Sequence, residues 1–465
     1  MHMKKILALL LFLSLASLLS ADLLSVRYDE DLLYSAILKN NTDLRTAERD
    51  IYDSSLDVRD AKAKYQPDVD LTLSGTYMFE PPLGNITLSS DEILSQMGIP
   101  SGSGYQNGSF VTLYDGMDNT LYNAQITMTQ PINTWGKIDL AVDLYETVES
   151  IQRIKKSDLE RQLYTELMTR LYLFDCLNEV ESLLIQAKEI ASELIVIAEK
   201  SYMAGMILES EYLSAKIDMM ELDLNISSVK SEIDSNIQAL RKLTGLSDLK
   251  REEISYKRDD SILYTYKDVP LEELRMKALS TSNLSLEMAS RLKSVHLIQE
   301  KIASRSMYGI PDMAIQVSAG YSTPRFPVLE AGWRQNDSFT LNITFAMQTT
   351  LWDGGDKITE KKRAESSQIR DDISYESASQ TIDGLLNENY MAMSSGLVKL
   401  DYYMLKDANL ESQMKNTALQ ADYGQKGKSD ILKSRLDIIT NKVEETTAKA
   451  SIAANIYMIS YLASN

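Results

Sequence analysis

"YQPDVDLTLSGTY", Tyr65 to Tyr77, decides the fold, because "GIPDMAIQVSAGY", Gly309 to Tyr321, repeats its plan. Each stretch has a Pro-Asp pair, then alternating apolar and polar residues, then a tyrosine. In the first, Val69, Leu71, Leu73, Gly75 and Tyr77 alternate with Asp70, Thr72, Ser74 and Thr76. A period of two is that of a strand with one wet face. A partner strand follows each: Asn123 to Gln130, with Ala124, Ile126 and Met128 on one face, and Phe339 to Gln348. None of the four segments, Val69–Tyr77, Asn123–Gln130, Met313–Tyr321 and Phe339–Gln348, contains lysine or arginine. Their length of ~9 to 10 residues suits a tilted membrane strand, the alternative being an ordinary solvated hairpin pair.

The repetition extends outward. "ILKNNTDLRTAERD" (Ile37 to Asp50) resembles "LSTSNLSLEMASR" (Leu279 to Arg291), with Asn41, Leu44 and Ala47 falling on Asn283, Leu286 and Ala289. From Pro131 onward a single offset relates the halves, so that Gly136 falls on Gly355, Gly205 on Gly424, Leu213 on Leu432 and Leu243 on Leu462. A duplication is the economical explanation. Each copy reads helix, strand, loop, strand, long helix, turn, long helix. The loop from Met78 to Tyr122 is long and rich in Gly, Ser, Asn and Pro, whereas Ser322 to Ser338 is short and holds Pro324, Pro327 and Trp333. Long loops on one side are what outer-membrane barrels expose outward.

Between Lys137 and Ala204 there is neither Gly nor Pro, so an unbroken helix there would span on the order of 100 Å. Leu173, Leu177, Val180, Leu184, Ala187, Ala191, Leu194 and Ala198 step by four and three, the coiled-coil rhythm. Leu222, Ile226, Val229, Ile233, Leu240 and Leu243 return in the same rhythm, with Asn236 at the one polar step. The spacing predicts antiparallel helical hairpins turning at Gly205 and around Gly424 to Gly427.

Composition narrows the function. The chain of 465 residues has a formal net charge of −19, which argues against nucleic acid and for an acidic solvated surface or an acidic water-filled interior. Lys4 and Lys5, the apolar run Ile6–Leu19, then Ser20 and Ala21 have the layout of a secretory signal peptide, residues 1–21. After it no stretch approaches the ~20 apolar residues of a spanning helix, so membrane insertion must use strands. Cys176 is the only cysteine and reads as a packing residue in a helix; the two histidines are His2 and His296. No metal-ligand spacing and no Ser/His/Asp set is visible, so neither a cofactor nor an enzyme is expected. The boundaries read as a first repeat at 22–248, a linker at 249–270 and a second repeat at 271–465.

One motif invites a different reading. Gly424 to Ser429, "GQKGKS", has the look of a phosphate-binding loop. That pattern needs a glycine five positions before Gly427, where Asp422 stands, and a preceding strand, which the sequence lacks. Nucleotide binding is excluded.

Four strands cannot close a barrel, since barrels start at about eight, and an open edge in lipid leaves backbone groups unsatisfied. Strands must come from several chains. With these parts the chain resembles the TolC family of trimeric outer-membrane efflux channels, over nearly its whole length. The carriers are Asn41/Leu44 and Asn283/Leu286, Tyr65 with Pro67 and its counterpart Pro311, "LWDGGDK" at Leu351 to Lys357, and "YMAG" at Tyr202 to Gly205. The specificity lies in their order, which occurs twice.

The resemblance implies an α+β membrane protein: a homotrimer whose four strands per chain form a 12-stranded barrel in the outer membrane, with a periplasmic tube of long α-helical hairpins. It implies a periplasmic adaptor and an inner-membrane pump as partners, and no nucleic acid. It also implies that the turns Tyr202, Gly205, Gly424 and Gly427 serve adaptor docking. At the periplasmic gate, Lys426 takes a family arginine position, and Ser210 and Glu211 take a Thr-Asp pair. Ala421 stands where the family has a gate tyrosine. Asp430 takes the first of two aspartates that ring the entrance, while Lys433 replaces the second. A coiled-coil envelope spacer or adhesin, without transport, is the alternative reading.

Overall fold

The computed structural model describes residues 27–80, 86–89, 110–114, 119–280, 283–324 and 338–463. The expected signal peptide, Pro327 and Trp333 lie outside them. The described residues form two compact units, one lying within 27–54, 147–295 and 367–463, the other within 55–146 and 296–366. These units cut across the sequence repeats.

In chain order the elements are α1 (Glu30–Asn40), α2 (Thr42–Ala63), β1 (Asp68–Tyr77), β2 (Ile86–Ser89), β3 (Phe110–Tyr114), β4 (Thr120–Asn133), α3 (Lys137–Met203) and α4 (Glu209–Thr244). Two short 3-10 turns lie in the linker, followed by α5 (Leu271–Ala278), α6 (Leu284–Arg305), β5 (Asp312–Thr323), β6 (Ser338–Gln348), α7 (Asp356–Asp422) and α8 (Lys428–Ala463). The duplication is visible in the helix ends. α3 and α7 each have 67 residues, α4 and α8 each have 36, and every end of the second pair lies 219 positions after that of the first.

The Asn-x-x-Leu motif has a physical role in both copies. Asn41 accepts from the backbone N–H of Asp43 (2.9 Å) and Leu44 (3.2 Å), capping α2, while its amide donates to the carbonyl of Leu243 (3.0 Å). Asn283 caps α6 by accepting from Ser285 N (3.1 Å) and donates to the carbonyl of Leu462 (3.3 Å). One side chain thus satisfies a helix start and the end of the returning helix together. Leu44 and Leu286 are buried beside these caps.

Within the helical unit, the first copy's core gathers Leu33 and Ile37 of α1 with Leu163, Leu167 and Leu171 of α3 and Ile233, Ile237 and Leu240 of α4. In the second, Leu274 and Ala278 of α5 take the part of α1 against Leu386, Met393 and Leu400 of α7 and Ile452, Ile456 and Ile459 of α8. Of the expected rhythm in α3, Leu177, Val180, Leu184, Ala187 and Ala191 are buried, while Leu173, Leu194 and Ala198 are only half-buried.

In the other unit the sheet order is β1-β4-β5-β6, every neighbour antiparallel. The strands outrun the sequence expectation, most of all β4, which continues through Pro131 to Asn133. β1 stops pairing at Asp68, opposite Thr129, so beyond it β4 is paired only to β5, and the register shifts between Pro131 and Asn133. A proline is tolerated at such a one-sided, bulged end because no second ladder needs its N–H. The loop from Met78 to Tyr122 also holds structure of its own, the antiparallel pair β2–β3.

Candidate functional site

Two regions carry the chemistry, the sheet and the hairpin turns. Across the sheet, Val69, Met128, Val317 and Ile343 form one row, Leu71, Ile126, Ala319 and Leu341 the next, and Leu73, Ala124, Tyr321 and Phe339 a third. The intervening rows are Asp70, Thr127, Ser318 and Asn342, and Thr72, Gln125, Gly320 and Thr340. One face is therefore apolar across all four strands and the other polar. Leu71, Leu73, Leu341 and Ile343 are each more than 60% exposed, far beyond what a face meant for water carries. Aromatic residues follow or precede each strand at its helix-side end: Tyr65, Trp135, Tyr308 and Trp352. Such girdles mark membrane interfaces.

Two of those aromatics are tied to helix starts. The Tyr65 hydroxyl donates to Asp139 of α3, and the Tyr308 hydroxyl to Asp353. Asp353 also accepts from the N–H of Gly355 (3.0 Å) and Asp356 (3.1 Å), so the acid of the "LWDGGDK" stretch caps α7. The bond from Tyr65 raises that phenol to about 12.

The hairpin turns share one backbone. Gly205 and Gly424 adopt φ of 70° and 73°, the left-handed region that favours glycine. Met206 N bonds Ser201 O (2.8 Å), and Gln425 N bonds Gln420 O (2.9 Å), the six-to-one bond that closes a helix C-terminus. The returning helices start alike too: Glu211 accepts from Leu208 N (3.0 Å) and Asp430 from Gly427 N (3.0 Å). Two residues expected at a gate latch and an entrance ring are, within one chain, equivalent caps.

The structure does not join Lys426 to Ser210 or Glu211 within a chain; all three are exposed, and Lys426 has no ion-pair partner among the described residues. The second turn is tied to the first hairpin two residues later, where Lys428 Nζ lies 2.8 Å from Glu193 Oε2. That hydrogen bond, with the lysine's charge, holds the Glu193 carboxyl below its ordinary value. Sequence alone missed this pair, since Glu193 is a surface residue lying between the seam positions Ala191 and Leu194. Lys433 and Ser429 line a groove of about 630 Å³ with Ala191, Ala198 and Ser214 of the first hairpin.

The turns differ in their side chains. Tyr202 stacks on Tyr212 (centroids 5.4 Å apart, 5° between planes), and Lys216 lies 4.6 Å over Tyr212. Met203, Met206 and Leu208 are exposed around this stack. The second turn presents Tyr423, Lys426 and Lys428 instead.

The linker carries a third cluster. Arg258 reaches Glu179 (2.5 Å), Asp260 (2.9 Å) and Asp175 (3.4 Å), and donates to Cys176 Sγ (3.7 Å). Asp260 accepts from the Tyr172 hydroxyl (2.9 Å) and faces Lys449 (3.2 Å). Burial pushes the Asp260 carboxyl up, but Tyr172, Arg258 and Lys449 outweigh it and hold the group below its ordinary value. Burial drives the Cys176 thiol up to about 12, against the pull of Arg258. This arrangement clasps the linker onto α3 and α8; among the described residues no cluster suited to a metal ion occurs.

Residues 33–246 match the family model for outer membrane efflux proteins. No curated protein matches the sequence. Among solved structures, the chain is similar to CusC (TM-score 0.67, 12% identity, 94% of this chain and 93% of that one). It is similar to the CmeC outer membrane channel of Campylobacter jejuni (0.67, 15%, 93% and 85%) and to the outer membrane protein VceC of Vibrio cholerae (0.66, 15%, 93% and 96%). The sequence match over the first repeat and the shared fold over nearly the whole length agree with the two-faced sheet. The first repeat thus resembles outer membrane efflux proteins in sequence, and the chain as a whole shares the fold of these outer-membrane channels.

Proposed function

We propose that the chain is the outer-membrane exit duct of a tripartite efflux or type I secretion system, a passive homotrimeric channel with a gated periplasmic entrance. The observation that carries this reading is a four-stranded sheet, apolar on one face and polar on the other, whose outer strands β1 and β6 have no partner on their free edges among the described residues. In lipid those edges must be paired. Four strands alternate direction, so β6 of one copy meets β1 of the next antiparallel, and three copies close a 12-stranded barrel with a polar bore. The repeat adds support from the helices: Leu224 on α4 is 70% exposed, and Leu213, Ile217 and Met220 are also exposed. On α8 Leu432, the equivalent of Leu213, is 3% exposed, and Leu436, Ile439 and Val443, the equivalents of Ile217, Met220 and Leu224, are half-buried. The exposed apolar face of α7, Val398, Tyr402 and Leu405, is of the kind that a neighbouring α4 covers.

The turns form the entrance and meet a periplasmic adaptor, which links the duct to an inner-membrane pump. Tyr202, Gly205, Gly424 and Gly427 shape the docking tips. Lys428 with Glu193 is the gate contact inside a chain, and Ser210, Glu211 and Lys426 are available to a neighbouring copy. Three copies of Asp430 converge and favour cations at the constriction. No catalytic step is involved. Detergent-extracted protein is expected to run as a trimer and to conduct ions in planar bilayers. A monomer without conductance overturns the proposal.

A further inference from the structure

The free flanks of the sheet unit carry opposite charges at matching depth. Each strand of the four-stranded sheet is continuous with one helix: α2 leads into β1, β4 into α3, α6 into β5 and β6 into α7. At the helix ends beside the sheet, neighbours are joined in the sheet's own order. Lys62 of α2 lies 2.8 Å from Glu146 of α3. Arg305 of α6 donates to the carbonyls of Trp135 (3.0 Å) and Gly136 (3.1 Å) at the start of α3, and Lys361 of α7 lies 4.0 Å from Glu300 of α6.

What remains are the outward sides of α2 and α7. At ~100° per residue, Asp57 and Asp60 fall roughly 140° and 160° away from Lys62, and Arg363 roughly 160° away from Lys361. Lys362 stands about 100° round, on the side away from Glu360, and Arg59 is turned only about 60° from Lys62, toward α3. Asp57, Asp60, Lys362 and Arg363 are exposed and have no ion-pair partner among the described residues. Asp57 lies about 9 Å inside the sheet-side end of α2, and Arg363 about 10 Å inside that of α7.

We propose that Asp57 of one copy pairs with Lys362 and Arg363 of the next, an electrostatic seam that selects and aligns subunits beside the barrel. The proposal rests on the trimer reading and adds to it the residues that decide which flank meets which. Antiparallel pairing of β6 with a second copy's β1 sets α7 beside that copy's α2. Side chains lean toward the N-terminus of their own helix. On α7 that is toward the sheet and on α2 away from it, so the cations and Asp57 converge. A like-charge flank would repel a copy docked in the reverse sense, which is how charge gives specificity at an exposed seam.

The test uses the full chain with Asp57→Cys and Arg363→Cys together, extracted in mild detergent and treated with a bis-maleimide of ~10 Å span. Covalent dimers and trimers on a denaturing gel are expected, with no ladder from either cysteine alone. A trimer by native mass that yields no ladder overturns the seam and leaves the trimer standing, whereas a monomer by native mass overturns the trimer reading itself. Charge reversal gives an independent reading. Asp57→Lys should lower the temperature at which the trimer dissociates, and adding Lys362→Asp and Arg363→Asp should restore it. If the combined variant dissociates no later than Asp57→Lys alone, the pairing is wrong.

Discussion

Replacing Ile126 by arginine and, separately, Thr127 by arginine tests the face assignment at adjacent positions of one strand. Ile126 stands near the middle of β4 between Leu71 and Ala319, and its side chain is 51% exposed on the apolar face. An arginine at mid-depth on the lipid side of a barrel costs about 2–4 kcal/mol, so three copies cost roughly 6–12 kcal/mol per trimer. Thr127 points to the other face, between Asp70 and Ser318. There an arginine meets water and a carboxylate, and the change should fall within about 0.5 kcal/mol. The measurement is urea unfolding of protein reconstituted in vesicles, followed by the shift in gel mobility between folded and unfolded forms. Ile126→Arg should lower the urea midpoint steeply or prevent assembly. Thr127→Arg should assemble normally and reduce cation current in planar bilayers by adding positive charge to the bore. Equal damage from the two substitutions, or damage from Thr127→Arg alone, refutes the two-faced sheet as a membrane wall.

Lys428→Ala and Glu193→Ala should each raise single-channel conductance, and exchanging the two residues should return it toward the parent value; no change in any variant removes this gate contact. Because the Glu193 carboxyl is held below its ordinary value of 4.5, the contact is complete above that pH and is lost as pH falls through the lowered value. Conductance should accordingly be flat from neutral to mildly acid solution and rise only in strong acid. Arg258→Ala leaves Asp175, Glu179 and Asp260 around an empty position and should destabilise the helical unit by about 3–5 kcal/mol, read by denaturant unfolding. The same reasoning gives the sign for pH: the lowered carboxyl of Asp260 stabilises the fold above its ordinary value of 3.8, and that contribution disappears in more acid solution. Cys176, buried and with its thiol raised to about 12, should resist maleimide at neutral pH until the protein is denatured. Labelling of the native protein would show that the linker clasp opens.

The duplication was legible in the sequence because its markers are backbone requirements. A glycine at positive φ ends α3 and α7, and the absence of Gly and Pro lets α3 run unbroken. The alternation in β1 and β5 fixed the faces, since a slip of one residue would turn every leucine to the wrong side. The passage of β4 through Pro131 was hidden because it depends on where β1 stops, a fact of pairing rather than of composition. The pair Lys428–Glu193 was hidden for a related reason: it joins two exposed residues 235 positions apart, and periodicity marks buried positions only. Glu211 and Asp430 carried a local signal that the family analogy overshadowed, an acid three residues after the helix start, which is a capping pattern in its own right.

That double duty bears on how the proposed entrance would work. A carboxylate bound to its own helix start is held in one place, so Asp430 can present a fixed charge only while the first turn of α8 is intact. The caps, the glycines and the six-to-one bonds are common to both turns, so neither backbone is the softer one by local design. What distinguishes them is side chains: stacked tyrosines and exposed methionines on the first, lysines on the second. On the gated reading proposed above, opening would then come from side-chain contacts between hairpins, of which Lys428–Glu193 is the ion pair nearest the turns within a chain among the described residues. On that reading, a rigid turn on a hairpin released by a few exposed charges would open by displacement of whole helices, without melting of their ends.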